Sequence, residues 1–155
     1  MLKSNSIGTL KPLTLCLILC FLAFGFGGLF PPGDWYQNLN QAPWTPPNIA
    51  FPIVWFFLYG CIAVAGWQIF SHTSRLAKWL WGIQLGVNAL WSWLFFGLKL
   101  PVAGLIDIVV LSGLVAFLIH VCRHQRLHLS VYLLMPYIIW LLLATSLNIF
   151  VVIYN

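Results

Sequence analysis

The sequence predicts an all-α integral membrane protein, a bundle of five transmembrane helices. Three observations lead there. Of the 155 residues, 62% are hydrophobic and 6% are charged, whereas a soluble domain carries about 25% charged residues. Five apolar runs each approach the roughly 20 residues that a helix needs to cross about 30 Å of hydrocarbon. The runs are continuous and lack the two-residue alternation of barrel strands.

The first run covers about residues 13–30. With Lys3 and Lys11 ahead of it and the small-x-small triplet Ala23-Phe24-Gly25 inside it, this run also fits a signal peptide, whose removal would leave four spans. Residues 31–48 hold five prolines and two tryptophans. That stretch is too stiff and polar for lipid-facing helix and too aromatic for an idle linker, so it predicts a lid packed on the bundle. The second run, 49–70, and the third, 79–98, carry no charge beyond their ends. The fourth, 101–122, holds one, Asp107, and the fifth, 129–154, holds none. No internal repeat breaks residues 1–155 into more than one domain.

Charge sets the expected orientation. With five spans, Lys3, Lys11, Arg75, Lys78, Arg123 and Arg126 fall on one side and Lys99 on the other. Basic residues stay cytoplasmic, so the N-terminus is predicted inside and the long loop and C-terminus on the opposite side. The net charge of +5 comes from scattered residues. Without a basic stripe it does not point to nucleic acid.

Conventional chemistry finds no residues to run on. There is no Ser/His/Asp arrangement, no paired carboxylates and no phosphate loop. Cys16, Cys20, Cys61 and Cys122 lie in apolar runs without a CxxC pair and read as helix-packing residues. His120, His124 and His128 recur every four residues and read as a surface stripe. An axial haem ligand would need a partner at matching depth, and His72 sits in a turn on the same side. No metal site is predicted.

Three runs carry aromatic stripes with polar members. Trp81, Gln84, Asn88, Trp91 and Phe95 share one helix face by their spacing of three and four. Phe51, Trp55, Tyr59 and Ala63 share another, as do Tyr137, Trp140, Ala144 and Asn148. At about 1.5 Å per residue, Trp55, Asp107 and Asn148 lie roughly 9 Å from the outer end, Trp91 about 10 Å and Asn88 about 15 Å. These residues therefore cluster in the half of the bundle beneath the tryptophan-rich loop. Two readings stand side by side: the rings pack helices, or they line a ligand cavity with a lid. Gln84 and Asn88 serve equally as interhelical hydrogen-bond partners, and Asp107 as a structural or a ligand- and proton-handling acid. Trp67 and Trp79, near helix ends, suit the interfacial belt. Gly82 and Gly86 form a GxxxG pair away from the Asn88–Trp91 stripe, a face suited to homodimerisation.

Trp35-Tyr36, Leu39, Pro43-Trp44, Pro46-Pro47, Pro52, Trp55 and Leu58-Tyr59 form one motif block. Gln84, Asn88, Trp91 and Phe95-Phe96-Gly97 follow in the third run, and Asp107 with Ser112-Gly113 in the fourth. The fifth has Pro136-Tyr137, Trp140, Ala144-Thr145 and Leu147-Asn148. In order and spacing, over about residues 12–154, this chain resembles the TspO/MBR family of tryptophan-rich sensory and translocator proteins. The resemblance implies five packed helices around a pocket under the first loop, binding of porphyrins such as protoporphyrin IX, and dimers through the third helix. It implies ligand contacts at Trp35, Tyr36, Trp44, Trp55, Asn88, Trp91, Trp140 and Ala144. It also implies, for bacterial members, light-dependent porphyrin breakdown involving Trp55 and Trp140. In animal members a Leu/Val–Tyr–Lys/Arg motif proposed for sterol ends the fifth helix. Here no basic residue follows Tyr154, and Ala103 stands where animal members have tryptophan.

Three functions are thus in view. The first is a membrane receptor or carrier for tetrapyrroles and other hydrophobic small molecules, with porphyrin as ligand and no required cofactor. The second is a porphyrin-degrading enzyme acting through the same tryptophans. The third is a structural scaffold. The residues favour binding over catalysis, with the lipid bilayer and a second copy of the chain as partners.

Overall fold

In a lipid solvent the backbone finds its hydrogen bonds only within itself, so long apolar runs fold as helices. The computed structural model describes residues 6–72 and 75–155; Lys3 lies outside them. Among the described residues there are helices and no strands. They are α1 (Ser6–Gly28), the single turn α2 (Asp34–Gln37), α3 (Ala50–Ser71), α4 (Arg75–Ser92), α5 (Pro101–His124) and α6 (His128–Tyr154). A π-helical turn, Trp93–Gly97, continues α4. The helices outrun the apolar stretches: among the described residues α1 is already helical at Ser6, ahead of 13, and α4 at Arg75, ahead of 79. The stretch 31–48 is not all loop, since α2 lies within it.

Four helical stretches are long and apolar enough to cross a membrane: Lys11–Gly28, Ala50–Ser71, Pro101–His124 and His128–Tyr154. The helix α4 is not among them. Arg75, Lys78, Gln84 and Asn88 lower its hydropathy, and the two amides face inward, where both are buried.

The five long helices close a ring. The helix α1 packs on α3, α3 on α6, α6 on α5, α5 on α4, and α4 returns to α1. Its centre is filled by Leu58, Ile62, Trp81, Leu111, Tyr137 and Leu141. Its outside is equally apolar: Phe21 and Phe56 are each 74% exposed and Tyr132 73%. Rings this bare over a whole surface suit lipid, not water.

Two close approaches fix the packing. The Trp81 indole lies against Gly66, where an added Cβ would come within 2.5 Å of the ring, and its N–H donates to the Ile62 carbonyl at 2.9 Å. The Phe30 ring lies on Gly97, 2.9 Å from where a Cβ would stand.

The two ends of the bundle differ. At one, Ser130 at the start of α6 donates through N and Oγ to Gln68 Oε1 near the end of α3, both at 2.7 Å. Arg75, Lys78, Arg123 and Arg126 belong to this end. The loop 29–49, Lys99 and the end of α6 share the other, where Asn40 pairs with Asn155.

Candidate ligand cavity beneath the long loop

Four polar side chains inside the bundle, Tyr59, Asn88, Tyr137 and Gln84, bond to one another. Tyr59 of α3 donates its hydroxyl to Asn88 Oδ1 at 2.6 Å, and Asn88 Nδ2 donates to the Tyr137 hydroxyl, also at 2.6 Å. The Tyr137 hydroxyl donates to Gln84 Oε1 at 3.0 Å, and Gln84 Nε2 donates to the Trp81 carbonyl at 3.1 Å. One buried chain thus ties α3, α4 and α6 together. A second tie lies nearer the loop. Trp91 Nε1 donates to Asn148 Oδ1 at 3.3 Å, and Asn148 Nδ2 to the Pro101 carbonyl at 2.9 Å. Gln84 and Asn88 are therefore interhelical partners, one of the two roles their positions allowed.

Above this network an apolar cavity of about 450 Å³ opens under the loop. Trp55, Phe51 and Tyr59 form its α3 wall, and Trp91, Ser92 and Phe96 the α4 wall. Tyr36 and Pro31-Pro32 cover it from the loop, and Phe24, Gly25, Gly27 and Gly28 of α1 close the remaining side. The glycines create this space: an added Cβ at Gly25 or Gly28 would meet nothing within 4 Å. Behind Trp55 and Trp91 lies a second hollow of about 30 Å³, bordered by Asn88, Ile108, Trp140 and Ala144, large enough for about one water molecule.

The π turn shapes the roof. Its wide bond, Leu98 N to Trp93 O at 2.7 Å, is of the kind that recurs as a local bulge at functional sites. The Phe95 ring stacks on Trp91 at 5.0 Å and 14°, and Phe96 meets Trp91 edge-on at 5.5 Å. Trp35 and Tyr36 pack on Phe95 at 5.9 and 6.0 Å, and Tyr36 meets Phe96 at 5.3 Å. Burial pushes the Tyr36 phenol above its ordinary pKa.

The residues singled out from sequence divide into three groups. Trp55, Trp91 and Tyr36 line the main cavity. Asn88, Trp140 and Ala144 line the small hollow behind it. Trp35 supports the roof through Phe95, while Trp44 lies outside, 52% exposed, with its N–H on Ser146 Oγ at 3.1 Å and its ring against Phe150. Trp140 Nε1 and Asp107 Oδ2 are buried without a hydrogen-bond partner among the described residues. Gly82 and Gly86 face outward with nothing within 4 Å of an added Cβ. Cys16, Cys20, Cys61 and Cys122 are buried in the packing, and His120, His124 and His128 are exposed.

The α1 wall was missing from the sequence reading. Phe24 and the three glycines near it sit in a run that reads as a plain span. The glycines in FGFGG, crowded at the loop end of an otherwise bulky helix, were the available signal.

Comparison with known proteins shows which family the sequence is similar to. The model of the TspO/MBR family matches residues 15–154. The tryptophan-rich protein TspO of Archaeoglobus fulgidus is 37% identical over 139 residues, covering 84% of this chain and 89% of that protein. Protein CrtK of Rhodobacter capsulatus is 34% identical over 136 residues, 84% of each chain. The translocator protein of Homo sapiens is 30% identical over 138 residues, 83% of this chain and 79% of its own length.

Proposed function

Since the chain belongs to the TspO/MBR family, an integral membrane family, we propose that it is a membrane receptor or carrier for flat hydrophobic molecules of the tetrapyrrole class, held in the cavity under the loop. The observation that carries this reading is the convergence of Trp55, Trp91, Tyr36 and Phe96, from three separate elements, on about 450 Å³ of apolar space. Ligand sites commonly measure about 300–1,000 Å³ and are lined by apolar and aromatic groups with few polar ones. Indole faces favour a planar aromatic guest through stacking and burial.

Trp140 supports a deeper contact. Its unpartnered N–H beside the small hollow offers a hydrogen bond to a ligand that displaces Trp55 or Trp91 slightly, with Asn88 and Ala144 at the same depth. Trp35 and Trp44 act through the loop, by fixing the roof and the loop's outer edge. The same arrangement serves the second reading, light-driven oxidation of a bound porphyrin by oxygen with Trp55 and Trp140 as electron partners. No cofactor is needed for the binding role.

In the bilayer, α4 with its π turn is the fifth span, its polar side chains turned into the ring. The end carrying Arg75, Lys78, Arg123 and Arg126 faces the cytoplasm with the N-terminus, and the loop and the end of α6 face the opposite side. The bare Gly82–Gly86 face of α4 is the homodimer contact. Titration of the purified protein with protoporphyrin IX, in the dark and under illumination, tests the reading. Saturable quenching in the dark supports a receptor, and product that forms only in light and vanishes on replacing Trp55 or Trp140 supports the enzyme. Absence of saturable binding contradicts both.

A further inference from the structure

Along the outer face of α1 and α3 runs an apolar groove of about 600 Å³, bordered by Leu17, Cys20, Phe21, Phe56, Phe57 and Gly60. It shares two lining residues with the cavity under the loop, Phe24 and Tyr59. Cavity and groove are thus the two sides of one thin wall. Resting on the ligand reading above, we propose that the ligand enters and leaves sideways from the lipid, through a portal between α1 and α3 gated by Phe24.

The roof is the better-fastened boundary. Asn40 N donates to Asn155 Oδ1 at 2.8 Å, Asn40 Nδ2 to the Tyr154 carbonyl at 2.9 Å, and Asn155 Nδ2 to the Asn40 carbonyl at 3.2 Å. Trp44 adds its bond to Ser146, and the Tyr36 ring is wedged on Phe95 and Phe96. Lifting the loop breaks all of these together.

The wall is fastened on one side only. Tyr59 is held by its hydroxyl on Asn88. Phe24 has no polar group to tether it: it is partly buried against the core and meets Tyr59 and Phe56 edge-on at 5.5 and 6.4 Å. Its neighbour Gly25 and the next turn's Gly28 leave open space beside it. A side-chain rotation of Phe24 therefore joins the two hollows without moving a helix. Beyond it, Phe21 and Phe56, each 74% exposed, and Phe57, 61% exposed, face the bilayer, the phase in which a flat apolar molecule accumulates.

Purified full-length protein in phosphatidylcholine vesicles, mixed rapidly with protoporphyrin IX while tryptophan fluorescence is followed, tests the portal. Gly60 lies in the groove and not in the cavity, and has room outside for a side chain. In Gly60→Leu, association and dissociation slow together several-fold while the equilibrium constant stays in place. Asn40→Ala, which loosens the roof, leaves both rates at the wild-type value. Should Gly60→Leu not fold, Phe56→Ala, which thins the outer side of the gate, raises both rates together. Wild-type rates in the groove variant, or faster exchange in Asn40→Ala, overturn the portal. Failure of the wild-type protein to bind saturably instead sinks the ligand reading, a separate outcome visible before any variant is made.

Discussion

The Asn88 amide donates to the Tyr137 hydroxyl across 2.6 Å at the centre of the bundle. Tyr137 in turn serves Gln84, so one buried hydroxyl satisfies both a donor and an acceptor. Tyr137→Phe leaves Asn88 Nδ2 and Gln84 Oε1 without this partner. A buried polar group left unpaired costs about 1–3 kcal/mol. Thermal unfolding in detergent is expected to show a loss of that size, and a fall in stability for Asn88→Leu as Tyr59 and Tyr137 both lose a partner.

A methyl group distinguishes two glycine environments. At Gly66 an added Cβ enters the Trp81 indole, whereas at Gly82 it meets nothing within 4 Å. Gly66→Ala therefore destabilises by about 1–3 kcal/mol, the usual penalty of overpacking. Within the protomer, Gly82→Ala is neutral or gains up to about 1 kcal/mol from helix propensity. Unfolding curves of the two variants side by side check the contrast.

Bulk at the same outer face addresses assembly. Gly82→Leu and Gly86→Leu leave the interior of the protomer untouched, because both positions point away from it. If this face holds two copies together, either variant shifts the protein from dimer to monomer in light scattering, with porphyrin affinity retained.

Lys99, between the π turn and α5, has φ 56°. A left-handed conformation costs an L-residue about 1–2 kcal/mol, which glycine avoids. After the extra chain entropy that glycine loses on folding, Lys99→Gly is expected to raise stability by up to about 1 kcal/mol in the same unfolding assay.

Four of the long helices were legible because lipid imposes length and apolarity together. The inward faces of α4 and α6 were legible because amides mark them, and that of α3 because aromatic rings recur along it. Trp81, Gln84 and Asn88 sit where their three-and-four spacing puts them, buried at 0%, 0% and 6% exposure. The one-turn helix α2 was not visible, since four residues between prolines carry no periodicity. The division of the aromatic set was not visible either. Trp55 and Trp140 lie on equivalent stripes, yet only Trp55 reaches the main cavity. That difference comes from which helices are neighbours, a tertiary property: α3 packs on α1, which closes the cavity, whereas α6 packs on α3 and α5. The α1 wall escaped because a helix that contributes absence, through Gly25, Gly27 and Gly28, leaves no polar or aromatic mark.

The central claim is that indole rings from separate helices enclose a space that accepts a flat apolar guest. Dark titration of the purified protein with protoporphyrin IX, comparing wild type with Trp55→Ala and Trp91→Ala, tests it most directly. The account predicts saturable one-site quenching in the wild type and an affinity at least about tenfold lower in each variant, a difference of about 1.4 kcal/mol. Quenching that never saturates, or the same affinity in all three proteins, would contradict it.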